Sequence, residues 1–247
     1  GVRMVSFLGF GIIFSVIIFS LIAKVLSKDK SKNFKTYTKK GTYYRDIPYD
    51  GEVIEVGKLI TANARDYISS LILKWISEGR LKDEKEITGL IFKKERLALV
   101  INDELEMNTS SQAERDLWDM VIQASGEDGI LSEKEFTKYM SKHLSKFNSW
   151  VDDIIDESTD SLTENGYLNA ENKRFLFTKY IKYTISNDGQ ELLDRIRAFE
   201  NYLKDFSLVT ERQAGDAKLW DDYMIWAAIL GISEEVYKQL KIVDPQM

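Results

Sequence analysis

The feature that most constrains this chain is an uncharged apolar run, Val5 to Ala23, followed at once by Lys24, Lys28, Lys30, Lys32, Lys35, Lys39 and Lys40. A hydrocarbon core of about 30 Å takes roughly 20 apolar helical residues, and Val5 to Leu26 supplies that span with Lys24 able to snorkel at its end. A secretory signal would be shorter and would carry a small-residue cleavage site where the lysines stand. A buried core helix is the other reading, but a run this long with almost no polar face is unusual in a soluble domain. The run therefore reads as one N-terminal transmembrane helix within residues 1–26, followed by a basic juxtamembrane tether over residues 27–50. The positive-inside bias places the lysine side, and all that follows Gly41, in the cytoplasm of a single-pass cell-membrane protein. An outward amino end implies a signal peptide and an external domain ahead of residue 1.

Charge divides the chain. Residues 24–40 carry net +6 and Arg3 adds one more, so the total of −6 leaves residues 41–247 at −13. Such an acidic body disfavours nonspecific attraction to nucleic acid, and only the tether lysines suit anionic lipid headgroups. The absence of cysteine excludes disulfides, thiol nucleophiles and cysteine-ligated metals.

Periodicity organises the remainder as mainly α with small β-hairpins, an α+β chain. Ala64, Tyr67, Ile68, Leu71, Ile72, Trp75 and Ile76 recur at helical spacing after a cap at Thr61 or Asn63, and Glu78-Gly79 ends that helix. Arg80 to Asn102 reads as short strands joined by charged turns. Helix and hairpin together suggest a winged-helix-like unit over residues 51–108. Ser111 with Glu114, and Ser132 with Glu135, are capping boxes that start two helices, and a third runs from about Lys146 to Glu164 before Asn165-Gly166. These form a second helical, winged-helix-like unit over residues 109–168. Asn169 to Asn172 reads as a linker opening a C-terminal helical segment, residues 169–247. There Leu192, Ile196, Phe199, Leu203 and Phe206 share one helix face, and Met224 to Ile232 is too short to span a bilayer and reads as a buried helix.

The anchor, Tyr43-Tyr44-Arg45-Asp46-Ile47-Pro48, Trp75-Ile76-Ser77-Glu78-Gly79-Arg80-Leu81, Asp188-Gly189-Gln190-Glu191-Leu192-Leu193 and the ending from Phe199 to Leu240 resemble the YciQ-like predicted membrane proteins, a family of unknown function numbered 2207. The resemblance implies an external β-rich domain before the anchor and a cytoplasmic region after it, and it implies no mechanism. Many relatives place a transmembrane hairpin before the final helices and end in a glycine-rich tail. Here only Tyr167 to Asp188 bridges that gap, too short for two spans of roughly 20 residues, so the chain is a short variant or has had the hairpin lost or removed.

The sharper chemical motifs do not hold together. Glu127 to Phe136 looks like an EF-hand loop, but aligning Gly129 with the loop glycine puts Ala124 and Gly126 where carboxylates should bind calcium. Ser27-Lys28-Asp29-Lys30 matches S-x-x-K in a tether that offers no fixed base or oxyanion site. His143, the sole histidine, lacks a ligand-spaced carboxylate and reads as a surface or helix-packing residue. The five tryptophans sit in helical patterns as core residues. Asp152, Asp153, Asp156, Glu157 and Asp160 cluster on one helix as a solvated face or a docking surface for protein.

The sequence thus predicts a membrane-anchored, noncatalytic protein-interaction module that needs neither cofactor nor metal. Its expected partners are the lipid bilayer, anionic headgroups at the tether and a protein. A membrane-tethered DNA-binding regulator is the alternative, weakened because the helix from Lys146 to Glu164 carries one Lys against six acids.

Overall fold

The computed structural model describes residues 34–88, 94–102, 104–205 and 217–236. The expected anchor, the S-x-x-K motif and Lys24, Lys28, Lys30 and Lys32 lie outside those residues. Among the described residues, no helix is long and apolar enough to cross a membrane.

Each helix begins and ends where its local chemistry dictates. After a 3-10 turn at Val53–Val56 and a single turn α1 (Gly57–Ile60), α2 spans Ala64–Ser77. Asn63 caps it: the Asp66 N–H donates to Asn63 Oδ1 at 3.2 Å, and the Asn63 N–H donates to Asp66 Oδ2 at 3.0 Å. Gly79, at φ +77°, ends it in a Schellman motif, with the Gly79 N–H on the Ile76 carbonyl and the Arg80 N–H on the Trp75 carbonyl. The strands β1 (Leu81–Thr88) and β2 (Lys94–Ile101) pair antiparallel, Leu81 opposite Ile101.

Then come α3 (Gln112–Ser125), β3 (Ile130–Ser132), α4 (Glu133–Lys142) and α5 (Leu144–Glu164). The Ser132 and Glu135 box that starts α4 is complete, because each side chain accepts the other's backbone N–H. Only half of the expected box at α3 is present. Ser111 Oγ accepts the Glu114 N–H, but the Glu114 carboxylate turns inward to other partners. Gly166, at φ +77°, ends α5 as Gly79 ends α2.

Where a linker was expected, Asn169 to Asn172 forms strand. β4 (Leu168–Phe175) and β5 (Thr178–Ile185) make an antiparallel hairpin, followed by α6 (Asn187–Asp205) and α7 (Ala217–Ile229). This stretch is polar because all of β4 beyond Leu168 lies outside the core.

The α+β expectation holds, with two small sheets, one of order β1-β2-β3 and the other β4-β5. The winged-helix arrangement is not shown. From α3 onward the elements run helix, strand, two helices and hairpin, but β3 pairs with β2 of the preceding hairpin rather than with β4 or β5.

One hydrophobic cluster joins residues from Val53 to Val236. The most extensive helix pairing is between α2 and α7, and the Tyr223 to Ile229 run of α7 is buried throughout, as its hydropathy requires. Trp75 meets Trp118 edge-on at 4.9 Å, while Phe199 of α6 meets Tyr223 at 5.6 Å and Trp226 at 5.9 Å. Trp75, Trp118, Trp150 and Trp226 are all buried, and the Trp220 side chain lies outside the described set.

Candidate functional site

Two features face outward from this core. The first is the described part of the expected tether, which is held as a strap. From Lys35 to Arg45 it runs alongside α6 in the same direction. Gln190 Nε2 donates to the Lys35 carbonyl at 3.0 Å, and Asp194 Oδ1 accepts from Thr36 Oγ1 and from the Tyr37 N–H, each at 2.8 Å. Thr38 Oγ1 donates to the Asp194 carbonyl at 2.8 Å. Further along, Asn201 Nδ2 donates to the carbonyls of Lys39 and Thr42, the Tyr44 N–H to the Ala198 carbonyl, and Tyr43 Oη to Asp205. Tyr223 Oη of α7 then donates to the Arg45 carbonyl. Partial burial pushes the Asp194 carboxyl up, but the hydrogen bonds from Tyr37, Thr36, Gln190 and Thr38 outweigh it and hold the group below its ordinary range. Lys35, Lys39 and Lys40 remain exposed, with the Lys35 ammonium 5.0 Å from the centre of the Tyr37 ring.

The second feature is the acidic side of α5. Asp152, Asp153, Asp156 and Asp160 are exposed along it. Beside them lies a cleft of about 260 Å³ whose lining includes Glu52, Glu55, Asp160 and Glu164 together with Ser110 and Ser161. The cleft exists because α5 is tied to the Val53–Val56 turn through a buried hydroxyl: Ser158 Oγ donates to the Glu55 carbonyl at 2.7 Å and accepts the Lys58 N–H at 2.9 Å.

Glu157 belongs to the same helix but has an internal role. Its carboxylate accepts Ser111 Oγ and the Gln112 N–H, each at 2.6 Å, and so caps α3. Beneath that cap, Glu114 is 1% exposed and gathers three donors: Lys74 Nζ at 2.9 Å, Trp75 Nε1 at 2.9 Å and Thr109 Oγ1 at 2.7 Å. Lys74 also pairs with Glu52 at 2.9 Å. Burial pushes the Lys74 ammonium down, and the hydrogen bonds and charges of Glu52 and Glu114 outweigh that, leaving it raised.

The remaining candidates have structural surroundings. His143 lies between α4 and α5, its ring stacked on Tyr139 at 4.2 Å with Nδ1 2.8 Å from the Tyr139 carbonyl. Glu135 Oε2 accepts the Ser132 N–H at 2.9 Å, the bond that completes its box. Among the described residues no cluster of side chains is arranged to hold a metal ion.

Sequence reasoning missed the strap, the Glu157 cap and the Glu114 cluster. The only local signal for the strap is the hydroxyl-rich Thr36-Tyr37-Thr38 within a lysine run, which says nothing of a partner 150 residues away. Glu157 reads as one carboxylate of a solvated row because helical spacing does not show which helix end lies opposite.

No curated protein matches the chain. A family match covers the end of the hairpin, α6 and α7, the elements on which the strap lies. Residues 174–240 match the family model for the C-terminal domain of DUF2207, described as a predicted membrane protein, in agreement with the resemblance read from the sequence.

Proposed function

We propose that this is a single-pass membrane protein whose cytoplasmic body is a noncatalytic module that docks a basic segment of a protein partner on α5. The observation that carries this reading is the exposed row Asp152, Asp153, Asp156 and Asp160 beside a cleft whose lining adds Glu52, Glu55 and Glu164. Glu157 is removed from the docking set, since its carboxylate holds α3. A cationic peptide meets complementary potential there, whereas nucleic acid phosphates meet repulsion. The strap gives the module a membrane role: it holds residues 35–45 against α6, so that the body is carried close to the expected anchor.

A photo-crosslinker at Asp153 in the membrane-inserted chain tests the docking reading in cells, with Asp152→Asn, Asp156→Asn and Asp160→Asn combined as the comparison. One reproducible adduct, with a basic segment at the crosslink and lost in the triple variant, supports the proposal. Adducts that are absent, or unchanged by removal of the three charges, overturn it. Retention in membranes after alkaline carbonate checks the anchor, and protease protection of the body in sealed cells checks its side.

A further inference from the structure

The β4-β5 hairpin is rooted in the core at Leu168 and Ile185, but its outer part has the surface of a membrane-inserting element and stands clear of that core. Past Leu168 every residue of β4 is exposed, and so are the first five residues of β5. A two-stranded hairpin with water on both faces has little to stabilise it. Its tip is Phe175-Leu176-Phe177, at 69%, 74% and 94% exposure, followed by Tyr180 and Ile181, each about half exposed.

Two details run against simple stability. Leu176 occupies the first central position of a two-residue turn at φ +53°, where a glycine would sit without strain. Arg174 lies directly opposite Lys179, a like-charge cross-strand pair that is unfavourable in water. Both are explained by an apolar, anionic surface beyond the turn: the three tip side chains enter hydrocarbon, and the two cations meet headgroup phosphates. Farther down the shaft Lys173 pairs with Glu171 at 2.7 Å and Lys182 lies opposite Glu171, so the uncompensated positive charge sits at Arg174 and Lys179 next to the tip, and Tyr180 opposite Lys173 places an amphipathic ring at interfacial depth. The hairpin from Leu168 to Ile185 carries four cationic side chains against Glu171, in a chain whose part beyond residue 40 is strongly acidic.

The connection to the strap selects the bilayer over other apolar partners. β5 leads directly into α6, and the strap enters at that same end of α6, where Gln190 holds the Lys35 carbonyl. Eight strand residues project about 26 Å. The seven residues between Leu26, the expected end of the anchor, and Phe34 reach at most about 25 Å when extended. Hairpin tip and anchor are therefore within reach of one bilayer surface.

We propose that the Phe175-Leu176-Phe177 tip inserts into the anionic leaflet at which the anchor ends, giving the body a second membrane contact beside the strap. This rests on the anchored reading of the chain, and the experiment separates the two. Thr178→Cys, in a chain with no other cysteine, carries an environment-sensitive fluorophore next to an intact tip; Lys138→Cys on α4 carries it elsewhere on the body. The full chain is reconstituted into phosphatidylcholine vesicles with one quarter phosphatidylglycerol, with or without nitroxide-labelled lipid.

The expected result is a blue shift and loss of most emission to nitroxide lipid at position 178 but not at 138. The effect should weaken in Arg174→Glu/Lys179→Glu and disappear in Phe175→Ser/Leu176→Gly/Phe177→Ser, whose glycine relieves the turn and keeps the hairpin formed. A probe at 178 that responds only to an aqueous quencher overturns the proposal. So does one shielded from both quenchers, which marks contact with protein or a second copy. Retention after alkaline carbonate reports the anchor separately: a chain that washes off after its tip probe was quenched loses the anchor and keeps the hairpin contact.

Discussion

Glu157 of α5 closes the N-terminus of α3, accepting Ser111 Oγ and the Gln112 N–H at 2.6 Å each. The first turn of a helix leaves backbone N–H groups unsatisfied, and a carboxylate there is favoured by both hydrogen bonding and the helix dipole. Glu157→Ala should cost about 1–2 kcal/mol in urea unfolding followed by tryptophan fluorescence. Glu157→Gln, which retains an acceptor, should cost less. Equal stability of all three chains would remove the cap from the account.

Glu114 should prove far more sensitive. It is the shared acceptor of Lys74, Trp75 and Thr109 in the core, and its loss leaves a half-buried ammonium and an indole N–H with fewer partners. Glu114→Ala should destabilise by about 3–5 kcal/mol, whereas the exposed Asp152→Ala should change stability by less than about 0.5 kcal/mol. Comparable melting temperatures for the two variants would contradict the buried-cluster description.

Asp66 gives a pH dependence of definite sign. Burial pushes its carboxyl up to about 6, against the lowering effects of the Asn63 hydrogen bond and Arg65. The stability contributed by this raised group is fully present below its ordinary value of 3.8 and is lost as pH rises through about 6. Asp66→Asn keeps an acceptor for the Asn63 N–H without the charge. Its stability relative to the parent should therefore improve from pH 4 to pH 7, by about 2–3 kcal/mol across the interval. A difference between the two chains that stays flat with pH would refute this.

The strap depends on Asp194, so Asp194→Ala should accelerate tryptic cleavage after Lys39 and Lys40 at neutral pH by several-fold while leaving cleavage within α5 unchanged. The lowered Asp194 carboxyl contributes its share above its ordinary value of 3.8 and loses it as pH falls through the lower folded value. No loosening from this group should therefore appear between pH 5 and pH 8. Unaltered cleavage in the alanine variant would mean that the strap does not depend on Asp194.

Much of the fold was legible because its signals are local. The Asn63 and Ser132 caps, the glycine stops of α2 and α5, the loss of helical period that marks β1 and β2, and the buried Tyr223 to Ile229 run each depend on neighbours a few residues away. The acidic row was legible for the same reason. The Asn169 to Asn172 strand was not, since an exposed polar strand has no apolar alternation to mark it. Nor was the pairing of β3 with β2, which joins a strand of the second expected unit to the hairpin of the first.

The sequence by itself determined where helices start and stop, which faces are apolar, the charge contrast between a basic tether and an acidic body, and the resemblance that the match over residues 174–240 bears out. Tertiary structure alone decided what the polar groups do. Asp194 receives a strap more than 150 residues distant, Glu157 serves a helix other than its own, Glu114 turns away from its cap into the core, and Phe177 is left at the tip of an exposed hairpin. Helix periodicity and capping are short-range, whereas a hydrogen-bond partner or a buried charge depends on which elements the apolar core brings side by side.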